Sequence, residues 1–226
     1  MNPEIEDYTH FISNLNEVNE DTTVTTFLNP FSYYKVINNQ ALEVGIDHYY
    51  ADGALLVFFH NILRKSPKPV DRVSFDFSSV AGDVLAFADT NNKSVFFIGA
   101  TSDELDAALF NLRTVYPSCN ISGVHGFMSP EQIISSIPDS DIFIVGMGTP
   151  IQEEIAIQLK KKFPIGKKIY TCGGFVSQTA IKCDYYHPLV KKLGLRWLQR
   201  FVMHSHVRRR IAVDYPRFVI KYLLDR

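Results

Sequence analysis

Cysteine is scarce in this 226-residue chain: Cys119, Cys172 and Cys183 form an odd, scattered set. That count argues against a disulfide framework, fits a reducing compartment, and offers no metal-ligand spacing. Long hydrophobic runs are missing too. No apolar stretch approaches the roughly 20 residues a helix needs to cross a bilayer, and the polar, acidic N-terminus predicts no signal peptide. There is no P-loop lysine motif and no serine nucleophile elbow. The dinucleotide fingerprint is incomplete, because Ile151 stands where Gly146-x-Gly148 needs a third glycine. The chain also lacks internal repeats and low-complexity segments. What it does have is a 46% hydrophobic content, enough for a real core.

Net charge is almost absent at −1, but it is unevenly spread. Residues 187–226 hold ten Lys and Arg against two Asp, a net +8, so the remaining 186 residues carry −9. An acidic body with a basic tail calls for an anionic partner: phosphate, a membrane surface or nucleic acid.

The stretch from Asp141 to Lys162 organises the rest. Residues 142–145 are a short apolar run, as in a strand buried on both faces. Gly146 and Gly148 then allow a sharp turn. Thr149 is placed to cap a helix with Pro150 at its first position. Ile151, Ile155 and Leu159 give that helix one apolar face, and Lys160, Lys161 and Lys162 suit its last turn. In open α/β sheets, ligands bind at the carboxyl ends of strands over such helix starts. Gln152 has two readings at this point: a capping-box partner of Thr149, or a ligand contact. Glu153 likewise either complements the helix dipole or faces a ligand.

Earlier in the chain, strands are predicted at 22–28, 46–50, 94–98 and 120–124, with a further one at 168–172. Helices are predicted at 31–38, 55–63, 79–90, 102–116 and 130–137, and residues 1–20 read as a loose helix or frayed arm. The Thr101-x-x-Glu104 and Ser129-x-x-Gln132 pairs have capping-box spacing. This alternation implies βαβ units in a Rossmann-like parallel sheet flanked by helices. The alternation stops near 185–188, so the expected division is a body of residues 1–187 and a short basic helical appendage of 188–226. Four strands run into glycine, at Gly99, Gly126, Gly146 and Gly173. Bare backbone there suits a phosphate-bearing ligand, and equally the geometry of βα turns.

Three further features carry possible chemistry. Asp139-Ser-Asp141 has the form of a metal-binding carboxylate pair, but it opens a strand and so belongs to the sheet edge away from the crevice. Asp52, in Ala-Asp-Gly, is either a turn residue or a general base. Arg72 and Asp76 either pair on the surface or offer an arginine clamp for a diphosphate. The tail interleaves bases with Trp197, Phe201, Phe218 and Tyr222. That is the composition of an interfacial membrane helix, or of a helix docked on the body. The acidic body gives no support to nucleic acid as the partner.

Gly148-x-Pro150-x-Gln152-Glu153 after a buried strand resembles the signature of the WecG/TagA/CpsF glycosyltransferases. Further pieces match in order: Phe27-Leu28-Asn29, Ala51-Asp52-Gly53, Arg72-Val73-Ser74-x-Asp76, Phe97-Ile98-Gly99, His125-Gly126-Phe127 and Gly194-Leu195-Arg196-Trp197-Leu198-x-Arg200. The likeness spans roughly residues 22–224. It departs at Phe27, where the family has threonine, at Phe75 in place of glycine, and at Arg196 in place of glutamate. The resemblance implies an inverting enzyme, independent of any metal or other cofactor. Such an enzyme moves a hexose or N-acetylhexosamine-type sugar from a UDP-sugar donor to a lipid-diphosphate-linked saccharide. It implies a peripheral enzyme at the cytoplasmic face of an anionic membrane, engaged in surface polysaccharide synthesis. Asp52 is then the base and Arg72 the diphosphate partner. Asn29, Gly99, Gly126, Thr149, Gln152 and Glu153 line the donor crevice. Arg200, Arg208, Arg209 and Arg210 meet the acceptor diphosphate and head groups. The apolar tail residues leave room for a homo-oligomer. The competing reading is a nucleotide-binding regulatory module or oxidoreductase whose basic tail recruits a partner.

Overall fold

The computed structural model describes residues 4–18, 20–63, 65–183, 185, 190, 198, 202 and 208–225. Six strands are formed: β1 (Thr23–Leu28), β2 (His48–Ala51), β3 (Ser94–Gly99), β4 (Asn120–Val124), β5 (Ile142–Gly146) and β6 (Lys168–Thr171). They pair in parallel in the order β2-β1-β6-β5-β3-β4. The following α-helices accompany them among the described residues. In chain order these are α1 (Tyr8–Asn16), α2 (Tyr33–Ile37), α3 (Gln40–Gly45), α4 (Ala54–Ile62), α5 (Ala81–Thr90), α6 (Ser102–Val115), α7 (Pro130–Ser136), α8 (Ile151–Lys162), α9 (Phe175–Ile181) and α10 (Tyr215–Leu224). A π-helical turn, Arg210–Asp214, leads into α10.

Side chains alternate across the strands, as the two-residue period requires. Phe27, Tyr50, Val95, Phe97, Ile142, Ile144 and Tyr170 face one layer, built on α1, α5, α6 and α9. Val24, Leu28, Phe96, Ile98, Phe143, Val145 and Ile169 face the other, built on α2, α3, α4, α7, α8 and α10. Both faces of the central strands β3 and β5 are covered, so these read as continuous apolar runs rather than as alternating ones. The two predicted capping boxes are present at the starts of α6 and α7.

The topology makes one crevice. The chain leaves β1 for α2 and α3 on one face, whereas it leaves the neighbouring β6 for α9 on the other. Connections that diverge to opposite faces from adjacent strands leave a gap above their carboxyl ends. Asp141 lies at the far edge, where its carboxylate accepts from the Ser94 amide (2.9 Å) and hydroxyl (2.7 Å).

Several local expectations are corrected. The arm of residues 1–20 is in part a packed helix, α1, capped by Asp7, with Phe11 and Leu15 buried. The helix expected at 31–38 is shorter and is followed by α3. A helix, α9, follows the glycine pair Gly173-Gly174. Ile151 is 45% exposed, while Ile155, Ala156 and Leu159 are buried, so the inner face of α8 starts one turn later than its apolar spacing suggests. The body–tail boundary expected at 187/188 lies outside the described residues. α10 is packed on the body through Phe218 and Tyr222, both buried against Tyr33. This is the docked-helix arrangement, stabilised by burying two large aromatic faces, each contributing about 1.5–3 kcal/mol.

Candidate active site

The crevice is a cleft of about 630 Å³ lined from the ends of β1, β2, β5 and β6, the loop at 72–76, the starts of α6, α8 and α9, and Arg210. That size suits a nucleotide-sized ligand.

One wall is charged. Asp52 follows β2 directly, and Gly53, at φ +116°, lets the chain turn there into α4. The Arg72 guanidinium donates to Asp52 Oδ1 at 2.9 Å and to Asp76 Oδ2 at 2.7 Å. Two carboxylates thus share one cation. The expectation of a surface pair is corrected, because Asp76 is buried, and Arg72 and Asp52 are only partly exposed on the cleft wall. Burial alone would raise the Asp76 pKa. The Arg72 charge and hydrogen bonds from Arg72, Ser78 and Ser74 outweigh it and hold the carboxyl below its ordinary value. Asp76 therefore anchors Arg72, and Arg72 presents Asp52. Among the described residues, Asp52 Oδ2 receives no hydrogen bond.

The opposite wall is buried, and the groups that donate to its acid are uncharged. Glu153 Oε1 accepts from Gln152 Nε2 (2.8 Å), Thr26 Oγ1 (3.1 Å) and Thr149 Oγ1 (3.1 Å). Thr26 and Thr171 hydroxyls meet at 2.9 Å. Glu153 Oε2 is buried and has no hydrogen-bond partner. Burial raises the Glu153 pKa above its ordinary value, against the pull of hydrogen bonds from Gln152, Thr26 and Thr149. Gln152 spends its amide on this network: Nε2 goes to Glu153, while Oε1 accepts the Gly173 N–H at 3.1 Å. The capping-box reading of Gln152 is thereby corrected, and so is the Thr149 cap. The Thr149 hydroxyl turns to Glu153, and the helix begins at Ile151 with no side-chain cap. A buried carboxylate has no water to turn to, whereas the exposed first turn of α8 does.

The expected site residues divide cleanly. Asn29, Asp52, Arg72, Thr149, Gln152 and Arg210 line the cleft. Asn29 also holds its own loop, its side-chain oxygen accepting from the Phe31 N–H at 2.9 Å. Glu153 lies behind Gln152 and does not reach the cleft. Gly99 and Gly126 are not on the lining either. A Cβ on Gly99 would stand 2.3 Å from the Gly146 carbonyl oxygen, so this glycine permits close approach of two strand ends. Arg208 and Arg209 are exposed and off the lining, and Arg200 lies outside the described residues. Arg210 stacks over the Phe31 ring at 3.9 Å, which brings the tail to the mouth of the cleft.

Sequence reasoning missed the aromatic floor. Phe27, Phe75 and Phe175 line the cleft and touch edge to face, Phe27–Phe75 at 6.0 Å and Phe75–Phe175 at 5.2 Å. The signal was present in the two departures from the family pattern at Phe27 and Phe75, which meet in space. Cys172 also lines the cleft, but burial pushes its thiol up to about 12, which makes it a poor nucleophile. Among the described residues, the cluster with metal-ligating groups is Glu6, His10 and His48, at the start of β2 and so at the end of the sheet away from the cleft.

Comparison with known proteins adds the following. The model of the "Glycosyl transferase WecG/TagA/CpsF family" matches residues 2–226. A Shigella boydii protein, "UDP-Gal:alpha-D-GlcNAc-diphosphoundecaprenol beta-1,4-galactosyltransferase", is 39% identical over 220 residues, 95% of this chain and 91% of that protein. Two Staphylococcus aureus proteins, each an "N-acetylglucosaminyldiphosphoundecaprenol N-acetyl-beta-D-mannosaminyltransferase", are similar over a shorter span. The one from strain MW2 is 28% identical over 54% of this chain and 49% of that protein. The one from strain MRSA252 is 29% identical over 52% and 48%.

Proposed function

The chain belongs to the WecG/TagA/CpsF glycosyltransferase family, and on that premise we propose that it transfers galactose from UDP-galactose to an N-acetylglucosamine-diphosphate-lipid. The donor is taken from the 39%-identical relative. The observation that carries the chemistry is the Asp76–Arg72–Asp52 chain, which holds one carboxylate at the cleft with an oxygen open.

In the proposed reaction the acceptor hydroxyl attacks the anomeric carbon opposite the departing UDP. Asp52 takes the hydroxyl proton as the new C–O bond forms. The bond to the UDP oxygen breaks, and its electron pair leaves with the diphosphate. Arg72, Arg210 and the backbone N–H groups at the starts of α8 and α9 face that charge. Asn29, Thr149 and Gln152 hold the nucleotide and sugar, Gln152 being fixed by Glu153 and Gly173. Gly99 and Gly126 support the donor side by letting strand ends approach. The cleft lining carries Asp52, Asp76, Asp103 and Glu104 against Arg72 and Arg210. An anionic donor therefore needs more positive charge than these two residues supply. The basic tail, with Arg200, Arg208 and Arg209, is the proposed source, both for the acceptor diphosphate and for anionic head groups at the inner face of the membrane. The reaction is then free of a metal. Among the described residues no helix is long and apolar enough to cross a membrane, so attachment is proposed to be peripheral.

The test is transfer to a soluble, short-chain N-acetylglucosamine-diphosphate acceptor from a panel of UDP-sugars, with and without chelator. Product from UDP-galactose, unchanged by chelator, is expected. Melting curves give a second readout, since a ligand at a hundred times its Kd adds about 2.7 kcal/mol. A shift with NAD alone and no transfer would overturn the reading. Activity that vanishes with chelator would replace the tail by a divalent cation as the missing charge.

A further inference from the structure

The flank built by α4 and α10 is apolar on the outside as well as the inside. α4 reads Ala-Leu-Leu-Val-Phe-Phe-His-Asn-Ile and contains no charged residue. Its inner positions, Leu56 and His60, are buried. Phe58 and Ile62, one turn apart, point outward and are 55% and 59% exposed. α10 repeats the arrangement: Phe218 and Tyr222 pack inward, while Ile220 and Leu224 stand 63% and 76% exposed, with Leu223 beside them.

The two helices are joined. His60 Nδ1 lies 2.8 Å from the Tyr222 hydroxyl, the Lys65 ammonium sits 4.4 Å from the Tyr222 ring centre, and Lys65 also donates to the Asp225 carbonyl. The two helices thus pack together on the same face of the sheet. Bases accompany it: Lys65 and Lys68 follow α4, and α10 carries Arg217 and Lys221 with no acid. Lys221 reaches the Tyr34 ring at 3.9 Å, its stem lying along the apolar surface.

A helix packed on a soluble body normally turns a polar face to water. Two neighbouring helices that instead expose large apolar side chains beside bases have the composition of a lipid-facing surface. We propose that the α4–α10 flank lies against an anionic lipid bilayer, with Phe58, Ile62, Ile220 and Leu224 entering the head-group boundary. The placement follows from chain connectivity. α4 starts two residues after Asp52, and Arg210, on the cleft lining, precedes α10. Docking this flank sets the mouth of the cleft at the level where a lipid's diphosphate lies. The inference rests on the lipid-linked acceptor reading and extends it. Membrane contact belongs to an uncharged helix of the body, in addition to the basic tail.

The test uses the full chain and its Phe58→Asp/Ile62→Asp variant, both sites exposed and outside the cleft. Cosedimentation is measured with phosphatidylcholine vesicles and with vesicles containing phosphatidylglycerol. The wild type is expected to bind the anionic vesicles and to keep part of that binding at high salt, since the apolar contribution is not screened. The variant is expected to lose about tenfold or more in partitioning, with an unchanged melting temperature. It should transfer sugar to the soluble acceptor at the wild-type rate and to vesicle-borne acceptor more slowly by the same factor. Wild-type vesicle binding by the variant would overturn the proposal. So would a dimer in sedimentation velocity that the variant splits while vesicle binding stays intact, because the flank would then cover a second copy. Vesicle binding lost in the variant while neither protein transfers sugar would uphold the bilayer contact and sink the acceptor reading.

Discussion

The cleft has two polar walls, and each keeps an acid by different means. On one wall Asp76 and Asp52 are held by the Arg72 guanidinium, charge against charge, next to solvent. On the other, Glu153 is buried among neutral donors from Gln152, Thr26 and Thr149. The difference separates two tasks. A carboxylate that reaches the cleft can accept a proton in a reaction. A carboxyl buried among neutral groups cannot reach a substrate, but it fixes the amide in front of it. The charged wall is suited to chemistry and the neutral wall to placement.

The sharpest way to break this contrast is Asp52→Asn. Turnover should fall on the order of a hundredfold or worse, while UDP affinity, read by calorimetry, stays near wild type. Near-normal turnover would make Asp52 a structural turn residue. Asp76→Asn should act on stability, costing about 1–3 kcal/mol through the donors it leaves unsatisfied. Its pH dependence has a definite sign. The folded-state pKa of Asp76 is depressed, so its stabilisation is present above the unfolded carboxylate value, about 3.9, and is lost as pH falls through the lower folded value. Acid unfolding curves of the wild type should show this loss, and those of the variant should not.

Gln152→Ala should raise the donor KM by about tenfold, the loss of one well-made hydrogen bond of roughly 1.4 kcal/mol, with little change in kcat. Equal loss in both would move Gln152 to the reacting centre. The smallest effect is expected from Glu153→Gln, where the sign is again informative. The folded-state pKa of Glu153 is raised. Its contribution is therefore fully present below the unfolded glutamate value, about 4.3, and is eroded as pH rises through the folded one. The melting temperature of the variant should gain on that of the wild type as pH rises above about 4.3. Parallel curves would mean that Glu153 ionises freely and that the neutral-wall description fails.

Much of the fold was legible because local rules and tertiary structure agreed. The runs at 94–98 and 142–145 became β3 and β5 within a residue, since a strand buried on both faces has to be apolar throughout, and the run at 120–124 became the edge strand β4, in which only Ile121 is buried. The capping boxes at Thr101 and Ser129 formed as spaced. α9 escaped notice because seven residues after a glycine pair leave too short a period to read. Thr149 and Gln152 misled for another reason. Their capping-box spacing was real, but a buried carboxylate four residues from Thr149 is a stronger claim on a hydroxyl than a solvated helix start.

The residue types of this chain, in their order, determined a parallel α/β sheet, the placing of Asp52 just after a strand and of Gln152 at a helix start on its ligand edge, and the split between an acidic body and a basic tail. Those follow from hydrophobic period, turn chemistry and charge count, all of them local along the chain. Tertiary structure alone decided that Arg72 bridges Asp52 and Asp76, that Glu153 sits behind the cleft wall, and that α4 and α10 pack together on the same face of the sheet. Pairings of this kind join residues 20, 127 or 162 positions apart, and no local pattern encodes which distant surface a side chain will meet once the sheet has closed around its core.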